Sequence, residues 1–339
     1  MAAQLFSSVT ELKKYIPVSA SFVLSDMESF INKAAREMIL PWVGSTIYNA
    51  LVSAHAANNM NATQTALLPY VQESLACFAF DKYLPWSKVQ VGGSGILRAE
   101  TSDHKAPYKY QEKDLQVSNI ARAWDALEDL LIYMEANRVA LSWTASEGFN
   151  ESGALVINTA KEFNKQYRTG QGRQLFESLR GIIADVEEVA LIPNLGQEYY
   201  DELKAIILVR ATPSDADAAA LRLIKKAVAH YTIDQALQQR LVYTTAQGIF
   251  TYEDSLPEAL DARKPAALDA VAATQRQAKD FGERFLPKLM NLLRDNPDDY
   301  PTFTAWELAK AEGSTVEAER IAASKEASDI AQSGGTFFV

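Results

Sequence analysis

Asp295-Asn296-Pro297-Asp298-Asp299 places four oxygen donors in five residues, a density that suggests a hard-cation loop. An EF-hand loop needs donors at its first, third and fifth positions and glycine at its sixth. Here Pro297 takes the third place and no glycine follows, so the stretch reads as a turn at a helix end. The histidines are His55, His104 and His230; no two have ligand spacing on a helix, and the lone cysteine, Cys77, has no second thiolate to complete a zinc set. Gly92-Gly93-Ser94-Gly95 has the look of a phosphate cradle. It lacks the Lys-Ser/Thr of a P-loop and precedes a strand pattern, so a hairpin turn is expected. Gly170-Gln171-Gly172 is too short for a dinucleotide fingerprint. Glu128-Asp129 and Glu187-Glu188 are adjacent acids, which do not share a helix face, so solvated faces are expected. No Ser, His and Asp can be given triad roles. The residues therefore predict no enzyme, no catalytic residue, no cofactor and no metal.

The remaining candidates are aromatic. Trp42, Tyr199 and Tyr200, with Trp86 and Trp143, are the residue types that anchor protein interfaces. Cys77 sits in the apolar helical run Leu75-Ala76-Cys77-Phe78-Ala79-Phe80 and reads as a small buried residue. His230, at the matching place of a repeat, reads as a partly buried core histidine.

The elements that must position these residues are written twice. Leu40-Pro41-Trp42-Val43-Gly44 through Tyr48 and Leu51 recurs as Ile192-Pro193-Asn194-Leu195-Gly196 through Tyr200 and Leu203, 152 residues on. Proline ends or kinks the incoming helix and glycine permits the tight turn, so each copy is an elbow between helices. Trp42 and Asn194 share one place, so the common core does not demand an aromatic there; an exposed Trp42 would mark a contact site. Asp26 to Ile39, Ser45 to Ala56, Thr63 to Tyr83 and a last helix through Ile120 and Met134 are predicted helices. Gln174 to Ala190, a helix from Asp215, and Phe281 to Leu293 repeat the order. Leu68, Val71, Leu75 and Phe78 match Leu221, Ile224, Val228 and Tyr231 at a separation of 153, as Gly95 matches Gly248. Lys88 to Val91 with Gly95 to Ala99, and Leu241 to Thr244 with Ile249 to Tyr252, read as short hairpins.

The expected fold is mainly α: two tandem homologous helical bundles, each with a short β-hairpin, and an extended C-terminal tail. Residues 1–138 form the first unit, 139–153 an exposed connector, 154–300 the second unit, and 301–339 a C-terminal helix and flexible tail. The net charge of −10 over 339 residues disfavours non-specific attraction to nucleic-acid phosphates or anionic lipid. One cysteine allows no intrachain disulfide, which suits a reducing compartment. The amino terminus lacks the pattern of a signal peptide, and no apolar run approaches the ~20 residues that span a bilayer, so no membrane partner is expected. Ser314 to Gln332 is rich in Ala, Glu, Ser and Lys, whereas Phe337-Phe338-Val339 is apolar and follows Gly334-Gly335. That end is expected to dock into a groove or add a strand to a neighbour.

Leu155-Val156-Ile157-Asn158-Thr159-Ala160-Lys161-Glu162-Phe163-Asn164 and Ile192 through Leu203 resemble a domain of unknown function from phages and prophages of Bacteroides-type bacteria. The unit order is also similar to phage head–tail connector (adaptor) proteins, small helical bundles assembled as rings beneath the portal. This chain departs from the usual connector in having two units and a tail. The resemblance implies a virion structural protein, assembled in the host cytoplasm, in an adaptor ring between portal and tail. Its partners would be itself, in a ring of 12 copies, and portal or tail proteins; DNA would pass through without specific binding. The alternative is a non-virion phage-encoded binding or assembly factor acting as a monomer. Interface candidates are Trp42, Tyr199, Tyr200, Gly95, Gly248, Phe337, Phe338 and Val339; no functional residue is carried over from the family.

Overall fold

The computed structural model describes residues 5–19, 22–87, 89–92, 95–98, 108–169, 172–239, 242–245, 248–251 and 268–312. In the first unit, α1 (Val9–Leu12) and a 3-10 turn (Leu24–Asp26) lead to α2 (Glu28–Ala34), a π-turn (Ala35–Ile39) and α3 (Leu40–Val43). Then come α4 (Ser45–Ala56), α5 (Ala62–Tyr83), strands β1 (Val89–Gly92) and β2 (Gly95–Arg98), and α6 (Lys109–Ala136). A 3-10 turn (Trp143–Ala145) and α7 (Glu147–Ser152) close the unit. The second unit runs α8 (Ala160–Gln166), α9 (Arg173–Val186), a π-turn (Glu187–Leu191), α10 (Ile192–Leu195), α11 (Gln197–Leu208) and α12 (Asp215–Gln239). Strands β3 (Val242–Thr245) and β4 (Gly248–Thr251), α13 (Leu268–Asp295) and a helix over 301–312, α14, complete it.

The two elbows agree in detail. Each has a five-residue π-turn just before the proline-bearing turn, at Ala35–Ile39 and Glu187–Leu191. A proline has no N–H to give to an α-helical ladder and its ring crowds the carbonyl four residues back. The wider turn ahead of Pro41 and Pro193 accommodates both demands. Gly44 (φ +85°, ψ 144°) and Gly196 (φ +79°, ψ 148°) then stop the turn in a region essentially closed to other residues. Asn58 and Arg210, past the next helix, share φ values of +53° and +54°. Gly44→Ala and Gly196→Ala should each cost about 1–3 kcal/mol in strain, read as a shift of the urea midpoint. Gly196→Ala should cost more, because its Cβ would lie 2.5 Å from Cγ of Trp306, whereas at Gly44 the nearest atom is Cβ of Ser146 at 3.0 Å.

Each unit has its own hydrophobic core. Val71, Leu75 and Phe78 of α5 pack with Leu127, Leu130 and Met134 of α6 and Ile31 of α2. Ile224 and Val228 of α12 pack with Leu289 and Leu293 of α13 and Ile183 and Val186 of α9. Asn61 caps α5 by a reciprocal box with Gln64, which fixes its start one residue before the sequence pattern does. α13 begins at Leu268, well before the expected Phe281, and carries Pro287 inside it.

The expected fold class is corrected. Among the described residues the body is helical, and the core it buries lies on helices and the turns between them rather than on a hairpin. Among the described residues, extended pairing is confined to four-residue ladders, Val89–Gly92 with Gly95–Arg98 and Val242–Thr245 with Gly248–Thr251. The described core residues lie on helices and in the turns that join them. Two strands alone bury too little surface to stand as a layer, so helix packing carries the fold.

The segment expected as an exposed connector is packed into the first unit. Trp143 is 1 % exposed and Phe149 is buried beside it, their rings 5.3 Å apart edge to face. Indole Nε1 of Trp143 donates to the carbonyl oxygen of Trp42 at 2.9 Å. That carbonyl ends the elbow turn and has no helical partner, so the closing segment caps it. In the second unit Nζ of Lys310, on α14, reaches the Pro193 carbonyl at 3.2 Å. α14 therefore closes its unit as α7 closes the first, and Phe303 is buried in the second core. Of the expected tail, residues 313–339 lie outside the described residues.

Candidate functional site

Two places on the first elbow stand out: a seam where the units meet, and a groove on the opposite side of Gly44. The seam is built on Trp42, which is 8 % exposed. Its ring is covered by two guanidinium groups of α9, with Cζ of Arg173 4.7 Å and Cζ of Arg180 5.1 Å from the centroid. Arg173 is 2 % exposed; Nη1 donates to Oε2 of Glu128 on α6 at 3.3 Å, and Nε lies 2.6 Å from Oε1 of Glu177. Arg180 donates from Nη2 to Oε1 of Glu151 at 2.5 Å. Burial pushes the Glu177 carboxyl above its usual range, outweighing the opposing pull of Arg173 and Arg180. A second contact sits beside it: Arg210 donates to Oε1 of Glu135 at 3.1 Å and to Oγ of Ser152 at 2.9 Å, with its Cζ 4.6 Å from the Phe149 ring centroid. The seam is a cation–π and ion-pair interface, whose charges are costly to bury unless all are matched.

The groove has a volume of about 500 Å³ and runs between α4, the start of α5 and the closing segment. Ile47, Ala50, Leu51, Leu67 and Leu141 supply its apolar wall, and Asn61, Gln64 and Ser146 polar edges. In the second unit the corresponding space is filled. Tyr199 stands where the first unit has Ile47, and its ring meets Tyr300 at 5.9 Å and Phe303 at 6.2 Å. The Tyr300 hydroxyl donates to the Ala216 carbonyl at 2.9 Å.

Trp42 thus is an interface residue, but of a contact inside the chain. Tyr199 and Tyr200 are not surface anchors, because both are buried. The Tyr200 hydroxyl donates to Oε2 of Glu187 at 2.6 Å. Glu187 also accepts from the Val156 N–H at 2.6 Å and pairs with Lys204 at 3.2 Å, so it is a buried hub rather than a solvated acid. Glu128 likewise serves the seam. The repeat held the one signal for Glu187, since its counterpart is Ala35; nothing in the spacing marked Arg173 or Arg180. Gly95 and Gly248 end their ladders opposite Gly92 and Thr245. Trp86 is 59 % exposed. Phe337, Phe338, Val339 and His104 lie outside the described residues.

Cys77 is buried, and burial pushes its thiol up to about 11, the reverse of an activated nucleophile. Asn296 of the acidic stretch donates to the Leu292 carbonyl at 2.8 Å and so caps the end of α13. His55 lies 3.5 Å from Glu11. Among the described residues, no three His, Cys, Asp or Glu cluster as metal ligands, and no helix is long and apolar enough to cross a membrane. His230 stacks on Phe281 and Phe285 with centroids at 5.1 and 5.7 Å. Burial, then the charge of Lys226, holds its pKa below the ordinary value. The unfolded chain therefore takes up this proton first as pH falls, and stability drops through the ordinary histidine range near pH 6.5 while remaining complete above it. His230→Phe should keep the ring stack and flatten the fall in melting temperature between about pH 7.5 and 5.5. An unchanged slope would place the acid sensitivity elsewhere.

The fold and the seam define a tandem-unit helical protein whose two copies of one bundle dock through an ionic and cation–π interface. The chain belongs to a family of unknown function, DUF6712, which matches residues 39–153 and 191–311. Each matched stretch opens at the elbow and runs into the closing segment, the span over which the two units repeat their elements. No curated protein matches the chain, and no solved structure does.

Proposed function

We propose that this protein is a virion structural protein of a bacteriophage, an adaptor in a ring between portal and tail. The observation that carries the reading is the docking of the two units. The elbow side of the first, with Trp42, meets the first long helix of the second, with Arg173 and Arg180. This contact joins different faces of homologous bundles, and such heterologous contacts close into rings when the rotation allows. The similarity of the unit order to head–tail connectors supports the same reading, and the net charge of −10 suits a lumen that does not grip DNA. Twelve copies are the first expectation, matching a twelve-fold portal; six copies, giving twelve equivalent units, are the second.

Electron microscopy of the purified protein and of virions tests it. A closed ring under the portal is the expected image. A strictly monomeric particle at high concentration that is also absent from the virion would overturn the proposal. It would favour instead a monomeric phage-encoded binding or assembly factor, for which the open groove beside Gly44 is the supporting feature.

A further inference from the structure

The groove and its filled counterpart pose one question: what occupies in the first unit the place that aromatic rings occupy in the second? The two sites match residue by residue. Ile47 corresponds to Tyr199, Ala50 to Glu202 and Thr63 to Ala216. In the second unit Tyr300 spans this space to the Ala216 carbonyl, and Thr302 donates to Glu202 at 2.7 Å. In the first unit the closing segment brings Ala140, Leu141, Ser142, Ala145, Ser146 and Glu147 to the same wall, and none of them is aromatic. About 500 Å³ is left, enough for two aromatic side chains.

We propose that the Phe337-Phe338-Val339 segment of the same chain docks into this groove, as the counterpart of Tyr199 and Tyr300. These two phenylalanines are the only aromatic residues of the sequence after α14. A linker of two dozen residues, the number between α14 and Phe337, has a root-mean-square span of about 27 Å as a coil and reaches about 80 Å when fully extended. A tether of that length gives an effective concentration on the order of millimolar, which favours the chain's own groove over a neighbour's. The inference stands apart from the ring, since it needs only one chain.

The test uses the full-length protein with two new cysteines, Ala50→Cys in the exposed wall of the groove and Phe338→Cys. Cys77 is buried and stays in place. A control carries Val189→Cys, on the exposed side of the second elbow, with Phe338→Cys. Under mild oxidation the groove pair should form an intrachain disulfide about tenfold faster than the control, read by thiol titration and non-reducing electrophoresis of a monomeric band. Addition of a Ser-Gly-Gly-Thr-Phe-Phe-Val peptide in excess should slow it. Equal rates for the two pairs would overturn the docking, and disulfide-linked dimers in place of monomers would overturn its assignment to the same chain.

Discussion

Arg173→Ala is expected to destabilise the protein by about 3–5 kcal/mol, the largest single effect at the seam. Arg173 is the cation between Glu128 and Glu177 and the cover of the Trp42 ring. Its removal leaves two carboxylates near each other with a gap over an indole. Arg180 remains 3.7 Å from Glu177 and offsets part of the loss. Arg173→Met keeps most of the packing and isolates the charge; adding Glu177→Gln to it should recover part of the stability, which a double-mutant cycle by urea denaturation measures. The pH dependence gives a second readout. Glu177 in the folded wild type already holds its proton to higher pH than in the unfolded chain, so its contribution falls as pH rises through the raised folded value. Without Arg173 that value moves further up, and the variant should lose stability over a wider interval of rising pH. A loss below about 1 kcal/mol for Arg173→Ala would mean that the units are held by other contacts.

Trp143→Ala should cost about 3–5 kcal/mol, as for other fully buried tryptophans. The ring fills the space between Trp42, Phe149 and the first core, and its N–H caps the elbow carbonyl. Trp143→Phe separates the two roles: most of the ring packing stays while the Trp42 carbonyl loses its donor, for an expected loss of about 1–3 kcal/mol. The neighbouring geometry leaves no easy substitute donor. Gly148 of α7 passes so close that a Cβ there would lie 1.9 Å from the same oxygen. If Trp143→Ala changes the urea midpoint no more than a surface substitution does, the closing segment is not part of the folding unit. A melting curve with two transitions would instead show that the units unfold separately once the elbow is uncapped.

The repeat was legible because packing constrains short-range patterns. Pro41 and Pro193 with Gly44 and Gly196 fix a local backbone path whatever surrounds them, and the stripes on α5 and α12 declare which faces must be covered. Local chemistry likewise read Asp295–Asp299 as a turn at a helix end, where Asn296 caps α13, and Cys77 as a small buried residue. The closing segment escaped because Trp143 and Gly148 sit among Ser, Glu and Gly residues, whose composition suggests solvent. Their burial depends on an orphan carbonyl 101 residues away. Tyr199 and Tyr200 looked like surface anchors for a similar reason, since an aromatic pair on a helix does not say which neighbour will bury it.

By itself, then, the sequence determined two copies of one helical unit, their elbows and the helices that form each core. Local dihedral limits and hydrophobic periodicity act within a few residues and need no partner to be read. Only the tertiary structure decided that Trp42 lies under Arg173 and Arg180, that Glu187 is a buried hub, and that one unit keeps a groove where the other packs Tyr300. Each of those depends on which side chains two distant segments bring together. Charges and aromatic rings acquire their role from that pairing, because the cost of burying them is met only when the partner arrives.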